Sequence, residues 1–136
     1  MDAWEPGSFG NDSASDWLAE LLETPDLSMI GEAFDAVLAA GDDALEVQAG
    51  EEGIAAADVV AWINGRGGKS DDNGDRIEDW INEHELEVSD SMLKKARRVV
   101  DRVFNSPSEL REAWEESDDF DDWRAALAEL KERLNG

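Results

Sequence analysis

Ser89-Asp90-Ser91-Met92-Leu93-Lys94-Lys95-Ala96-Arg97-Arg98-Val99-Val100-Asp101-Arg102-Val103-Phe104 is the stretch on which the fold turns. Met92, Leu93, Ala96, Val99, Val100 and Val103 recur every third or fourth place and make a broad apolar stripe along one side of a helix. Ser89 stands where a side-chain oxygen can accept from the free amides of the first turn. Lys94, Lys95, Arg97, Arg98 and Arg102 fall on the other side, with Lys94, Arg98 and Arg102 in one row at four-residue spacing. These cations are expected to pair with carboxylates of neighbouring helices, the alternative being a small anion or an acidic partner. A helix with so wide an apolar stripe must pack against others, and the same period extends from it in both directions.

Upstream, Ala14, Trp17, Leu18, Leu21 and Leu22 follow an Asn11-Asp12 cap, and Pro25 closes that segment. Ile30, Ala33, Phe34, Val37 and Leu38 predict a second helix stopped by Gly41. Leu45 and Val47 suit a short strand or a frayed turn equally, so residues 44–50 read as loop. Glu51 to Asn64 predicts an alanine-rich third helix with a moderately apolar face and a stop at Gly65. Gly65 to Gly74 reads as a solvent loop, and Asp75 opens a short helix, with Ile77, Trp80 and Ile81 inward, that ends near Glu87. Downstream, Ser106-Pro107-Ser108-Glu109 reads as a capping box with proline first in the helix that carries Leu110, Ala113 and Trp114. The last helix spans about Asp119 to Leu134, with Trp123, Ala126, Leu127, Leu130 and Leu134 inward and Arg124, Glu129, Lys131, Glu132 and Arg133 outward. The expected architecture is all-α: a single compact domain of six or seven short helices over residues 1–136. Either half alone, on each side of the glycine-rich loop, has too few residues for more than a marginal core.

Charge limits the partners. The chain has 35 Asp and Glu against 12 Lys and Arg, a net charge of −23, and no base precedes Arg66. A field of this sign repels nucleic acid, acidic membrane and phosphate-rich substrates. Apolar residues at 41%, six of them Trp, argue for a folded core rather than disorder. With no cysteine, disulfides, thiol nucleophiles and thiolate metal sites drop out. Met1 to Gly10 lacks the basic start of a signal peptide, and no apolar run nears the roughly 18 residues of a membrane span, so a cytoplasmic location is expected. Scarce lysine, abundant Asp and frequent Ala in place of larger aliphatics point to a salt-loaded cytoplasm. There the Debye length falls from about 8 Å to about 3 Å at 1 M, screening the self-repulsion.

Trp4-Glu5-Pro6-Gly7-Ser8-Phe9-Gly10-Asn11-Asp12-Ser13-Ala14-Ser15-Asp16-Trp17 resembles the opening of a family of small, mostly bacterial proteins, domain of unknown function 4259. The family's pattern is similar to Trp-Gly-x-Gly-x-Phe-x-Asn-Asp-x-Ala-x-Asp-Trp, from which this chain departs at Glu5. Ser108 to Trp114, Trp123 and the Leu127-Leu130-Leu134 ladder are similar to its end. The resemblance implies no nameable activity and lends no catalytic residue. Physically, Glu5-Pro6-Gly7-Ser8 suits a type II turn that folds Trp4 and Phe9 back beside Trp17, with Asn11 or Asp12 capping the helix. Trp4, Gly7, Phe9, Asn11, Asp12, Asp16 and Trp17 are therefore the candidate structural or partner-binding set.

Other motifs fail on spacing or composition. In Gly65-Arg66-Gly67-Gly68-Lys69-Ser70 the leading glycine of a phosphate loop falls on Ile63, after a helix instead of a strand. Asp71, Asn73 and Asp75 start like a calcium loop, but Arg76 and Asn82 occupy the positions that need Gly and Glu. His84 is the sole imidazole, flanked by Glu83 and Glu85, and reads as a solvated helix end. Asp42-Asp43, Glu51-Glu52, Asp118-Asp119 and Asp121-Asp122 are adjacent pairs that diverge on a helix, whereas acid–base work needs two carboxyls facing one cavity. No catalytic residue, metal or cofactor is expected. The favoured function is a non-enzymatic interaction module with a basic protein partner, inhibitor-like or immunity-like, and the rival is a small hydrolase with a carboxylate site between helices.

Overall fold

The computed structural model describes residues 12–67, 72–105 and 107–135, with the backbone alone at Asp72 and Asn73. Among them the chain forms seven helices: α1 (Asp12–Leu21), α2 (Ser28–Leu38), α3 (Val47–Ile63), α4 (Asp72–His84), α5 (Asp90–Phe104), α6 (Glu109–Glu115) and α7 (Phe120–Leu134). No strand occurs among the described residues, and the all-α expectation holds.

The centre is α3, which packs against each of the other helices. Its expected one-sided apolar face understates it, because Ile54 through Ala61 are all buried. Small residues make this position possible. A methyl added at Gly53 would lie 2.5 Å from Val37 Cγ2 of α2 and 3.2 Å from Val99 Cγ1 of α5, and one at Gly50 would lie 3.2 Å from Leu110 of α6. Ala55, Ala56, Ala57 and Ala61 are fully enclosed. The alanine content of this stretch thus follows from close helix packing, which needs no salt to explain it.

Residues 44–50, expected as loop, divide between two structures. Leu45 forms an isolated parallel bridge with Ser108, its amide donating to the Pro107 carbonyl at 3.1 Å and its carbonyl accepting from Glu109 at 2.8 Å. Val47 begins α3. That bridge also corrects the start of α6. It holds Ser108 extended, so Ser108 rather than Ser106 is the cap, accepting from the Arg111 amide at 3.3 Å, and Pro107 lies outside the helix. Ser106 falls outside the described residues.

α4 begins three residues before the expected Asp75 and ends three before Glu87. The Leu86 amide closes it onto the Ile81 carbonyl, with Glu85 at φ +50, a left-handed turn made without glycine and so hard to read from sequence. Gly41 at φ +54 and Gly65 at φ +81 end α2 and α3 as expected. Ser89 caps α5 through the Met92 amide at 3.1 Å. Trp80 of α4 donates its indole N–H to the Thr24 carbonyl at 2.7 Å, pinning α4 to the α1–α2 turn. At the α6–α7 corner Trp114 stacks on Trp123 with centroids 6.0 Å apart, and Arg111 lies over the Phe104 ring at 4.6 Å. No helix among the described residues is long and apolar enough to cross a membrane.

Candidate functional site

The anionic surface comes first. Every Asp and Glu from Asp12 to Glu46 is exposed, because the periodicity of α1 and α2 turns their apolar sides toward α3. Among the described residues, one cation reaches this surface by an ion pair, Lys95 of α5, whose Nζ lies 2.6 Å from Asp35. Of the proposed motif residues, Trp4, Gly7, Phe9 and Asn11 lie outside the described residues. Trp17 is a core side chain with 5% exposure, whereas Asp12 and Asp16 point into solvent. Trp17 therefore serves packing, and the two aspartates belong to the anionic surface.

The basic row of α5 behaves differently from the expectation of carboxylate pairing. Among the described residues, Lys95 alone of this row meets a carboxylate of a neighbouring helix. Arg97 donates to the Leu134 carbonyl at 2.7 Å, and Arg102 donates to the carbonyls of Gly41 at 3.2 Å, Asp43 at 2.6 Å and Asn105 at 3.1 Å. These carbonyls follow or end α2, α7 and α5, where unsatisfied oxygens and the negative end of each helix dipole attract a cation. Lys94 and Arg98 are exposed.

Two acids are buried within α3. Asp58 is met by Arg133, whose Nη1 and Nη2 bind the two carboxylate oxygens at 2.8 and 3.2 Å while Nε reaches Glu129 at 2.7 Å. Arg133, expected on the outside of α7, is thus an interior residue. Burial alone would lower its pKa, but Asp58 and Glu129 outweigh this and hold the guanidinium firmly charged. The signal that betrays the pair is Asp58 itself, a lone charge inside the apolar run Ile54 to Ile63.

Glu51 is the second, with 5% exposure. Burial pushes its pKa up; a hydrogen bond from the Ser13 side chain of α1 opposes this, and the nearby charges of Glu52 and Asp12 add to it. The adjacent pair Glu51-Glu52 diverges as the helix requires, one carboxyl inward and the other toward solvent. The other adjacent pairs, Asp42-Asp43, Asp118-Asp119 and Asp121-Asp122, are all exposed.

A groove of about 450 Å³ lies between the end of α3 and α4, lined by Trp62, Ile63, Gly65, Gly67, Glu78, Ile81 and Asn82. Gly67 sits flat against the Trp62 indole, where a methyl would come within 2.2 Å of the ring, so this part of the expected solvent loop is packed. His84 ends α4 with its ring edge-on to Trp80 at 6.3 Å. No group of three or more His, Asp or Glu among the described residues is placed to hold a metal ion.

Comparison with known proteins gives one family. No curated protein and no solved structure matches the chain. The model of the family described as "Domain of unknown function (DUF4259)" matches residues 2–126. That span takes in the N-terminal stretch from Trp4 to Trp17, the whole of α1 to α6 and the start of α7, and the chain belongs to this family.

Proposed function

We propose that this protein is a non-enzymatic interaction module whose α1–α2 surface receives a basic protein, in the manner of an inhibitor or immunity protein that covers a nucleic-acid-binding surface. The observation that carries this reading is the uninterrupted exposure of acids from Asp12 to Glu46, with Lys95 as the one ion-pair partner from elsewhere among the described residues. Charge of one sign over two adjacent helices steers a complementary surface and repels nucleic acid itself. The same surface suits a cytoplasm rich in salt, where screening removes the self-repulsion.

The test is capture from the native host in high salt, followed by affinity measurements on the captured protein. A basic partner whose binding weakens at least about tenfold with Asp16→Lys and Glu20→Lys, a loss of about 1.4 kcal/mol, supports the reading. Equal affinity for the charge-reversed variant refutes it. The rival, a small hydrolase, has Glu51 in its favour, since a buried carboxyl with a raised pKa is what general acid catalysis uses. Hydrolysis of an ester or glycoside panel that disappears with Glu51→Gln would replace the module reading with this one.

A further inference from the structure

We propose that Glu51 is a proton-operated latch between α1 and α3: the two helices stay closed while its carboxyl is neutral and loosen when it ionises. This stands independently of the partner proposed above. The geometry has three parts. The carboxyl is buried on α3, with 5% exposure, at the place where Ser13 of α1 hydrogen-bonds to it. Its charged neighbours, Asp12 of α1 and Glu52 of α3, are of its own sign. Among the described residues, the cations of the packed elements are paired elsewhere or, like Lys94 and Arg98 of α5, turned to solvent.

Those elements can be taken in turn. α1, α2 and α3 contain no Lys or Arg at all. From α2, Asp35 is already bound to Lys95 of α5. Arg102 of α5 is held by the carbonyls of Gly41, Asp43 and Asn105. Arg111 of α6 is held by the Phe104 carbonyl at 2.8 Å and lies 3.6 Å from Glu115. α7 sends Arg133 to Asp58, two turns further along α3, and α4 meets α3 near Trp62 and Ile63. Glu52 is partly occupied by Gln48, which donates to it at 3.0 Å.

Among the described residues, an ionised Glu51 therefore has one hydroxyl to stabilise it and two anions against it, and water is its best remaining partner. The backbone of α3 cannot turn to supply that water, because Gly50 and Gly53 on either side are wedged against Leu110, Val37 and Val99. The movement is therefore assigned to the start of α1, where Asp12 is exposed and Ser13 half-buried, ahead of the packed Ala14, Trp17, Leu18 and Leu21. Its opening is what the proton controls, and burial pushing the Glu51 pKa up moves the control point above the ordinary glutamate value.

The experiment is hydrogen exchange of the α1 amides from about pH 4 to about pH 8, corrected for intrinsic exchange, in wild type, Glu51→Gln and Glu52→Gln. The expected result is several-fold more opening of α1 at the upper end in wild type and in Glu52→Gln, and a flattened profile in Glu51→Gln, whose amide is neutral throughout. A profile in Glu51→Gln as steep as in wild type overturns the latch. Should Glu51→Gln fail to fold, carbon NMR of the Glu51 carboxyl in wild type decides: a midpoint above the ordinary glutamate value that coincides with α1 opening upholds the latch, and an ordinary midpoint overturns it.

Discussion

Arg133 and Asp58 stand 75 positions apart and meet with side-chain exposures of 12% and 9%. Removing the cation leaves a carboxylate inside the domain with no counter-charge. Arg133→Leu is expected to destabilise the fold by about 3–5 kcal/mol, measured as a drop in urea midpoint, while adding Asp58→Leu to it recovers part of that loss. Glu51 makes a prediction of opposite character. Its folded pKa lies above its unfolded one, so its contribution is fully present below the unfolded value and is lost as pH rises through the folded value. The urea midpoint of Glu51→Gln relative to wild type should therefore climb as pH increases from about 4 to about 8, and a constant difference would contradict the raised pKa. At this scale the sequence was only partly legible. Asp58 is conspicuous among Ile and Val, but nothing local distinguishes Arg133 from the solvated Arg124, because its partner comes from a helix whose approach only the tertiary fold defines.

Periodicity gave most helices to within a few residues, and it failed where a bond outside the helix decided the outcome. α6 begins at Glu109 because the Leu45 bridge takes the backbone of Pro107 to Glu109, a contact between segments far apart in sequence. α3 shows a different shortfall. Its small residues mask its central place, since alanine and glycine weaken any apolar stripe while allowing neighbours to come close. Two substitutions separate these roles. Gly53→Ala forces a methyl to 2.5 Å from Val37 Cγ2, and the strain of about 1–3 kcal/mol should exceed the roughly 1 kcal/mol gained in helix propensity. Gly31→Ala in α2 meets nothing within 4 Å and should gain about 0.5–1 kcal/mol. Thermal melts of the two variants should move in opposite directions.

For the whole molecule the dominant number is the net charge of −23. Exposed acids repel one another through solvent, and raising KCl from about 0.1 M to about 1 M shortens the screening length from about 10 Å to about 3 Å. The melting temperature is expected to rise over that range, and a flat response would remove the salt-adaptation reading. Arg133 and Asp58 should contribute nearly the same stability at both ends, being shielded from bulk ions. The candidate site is less legible than the fold at this scale too. Charge sums over a sequence show that a surface is anionic, but which acids turn inward depends on where α3 is enclosed.

The placement of α3 has a topological outcome. It belongs to the first half of the chain, yet α4, α5, α6 and α7, which close over it, belong to the second. A polypeptide cut between Gly67 and Asp72 should give two pieces that are each largely unstructured in isolation. Mixed together, they are expected to reassemble with recovery of the helical circular-dichroism signal, as complementing fragments of one cooperative unit.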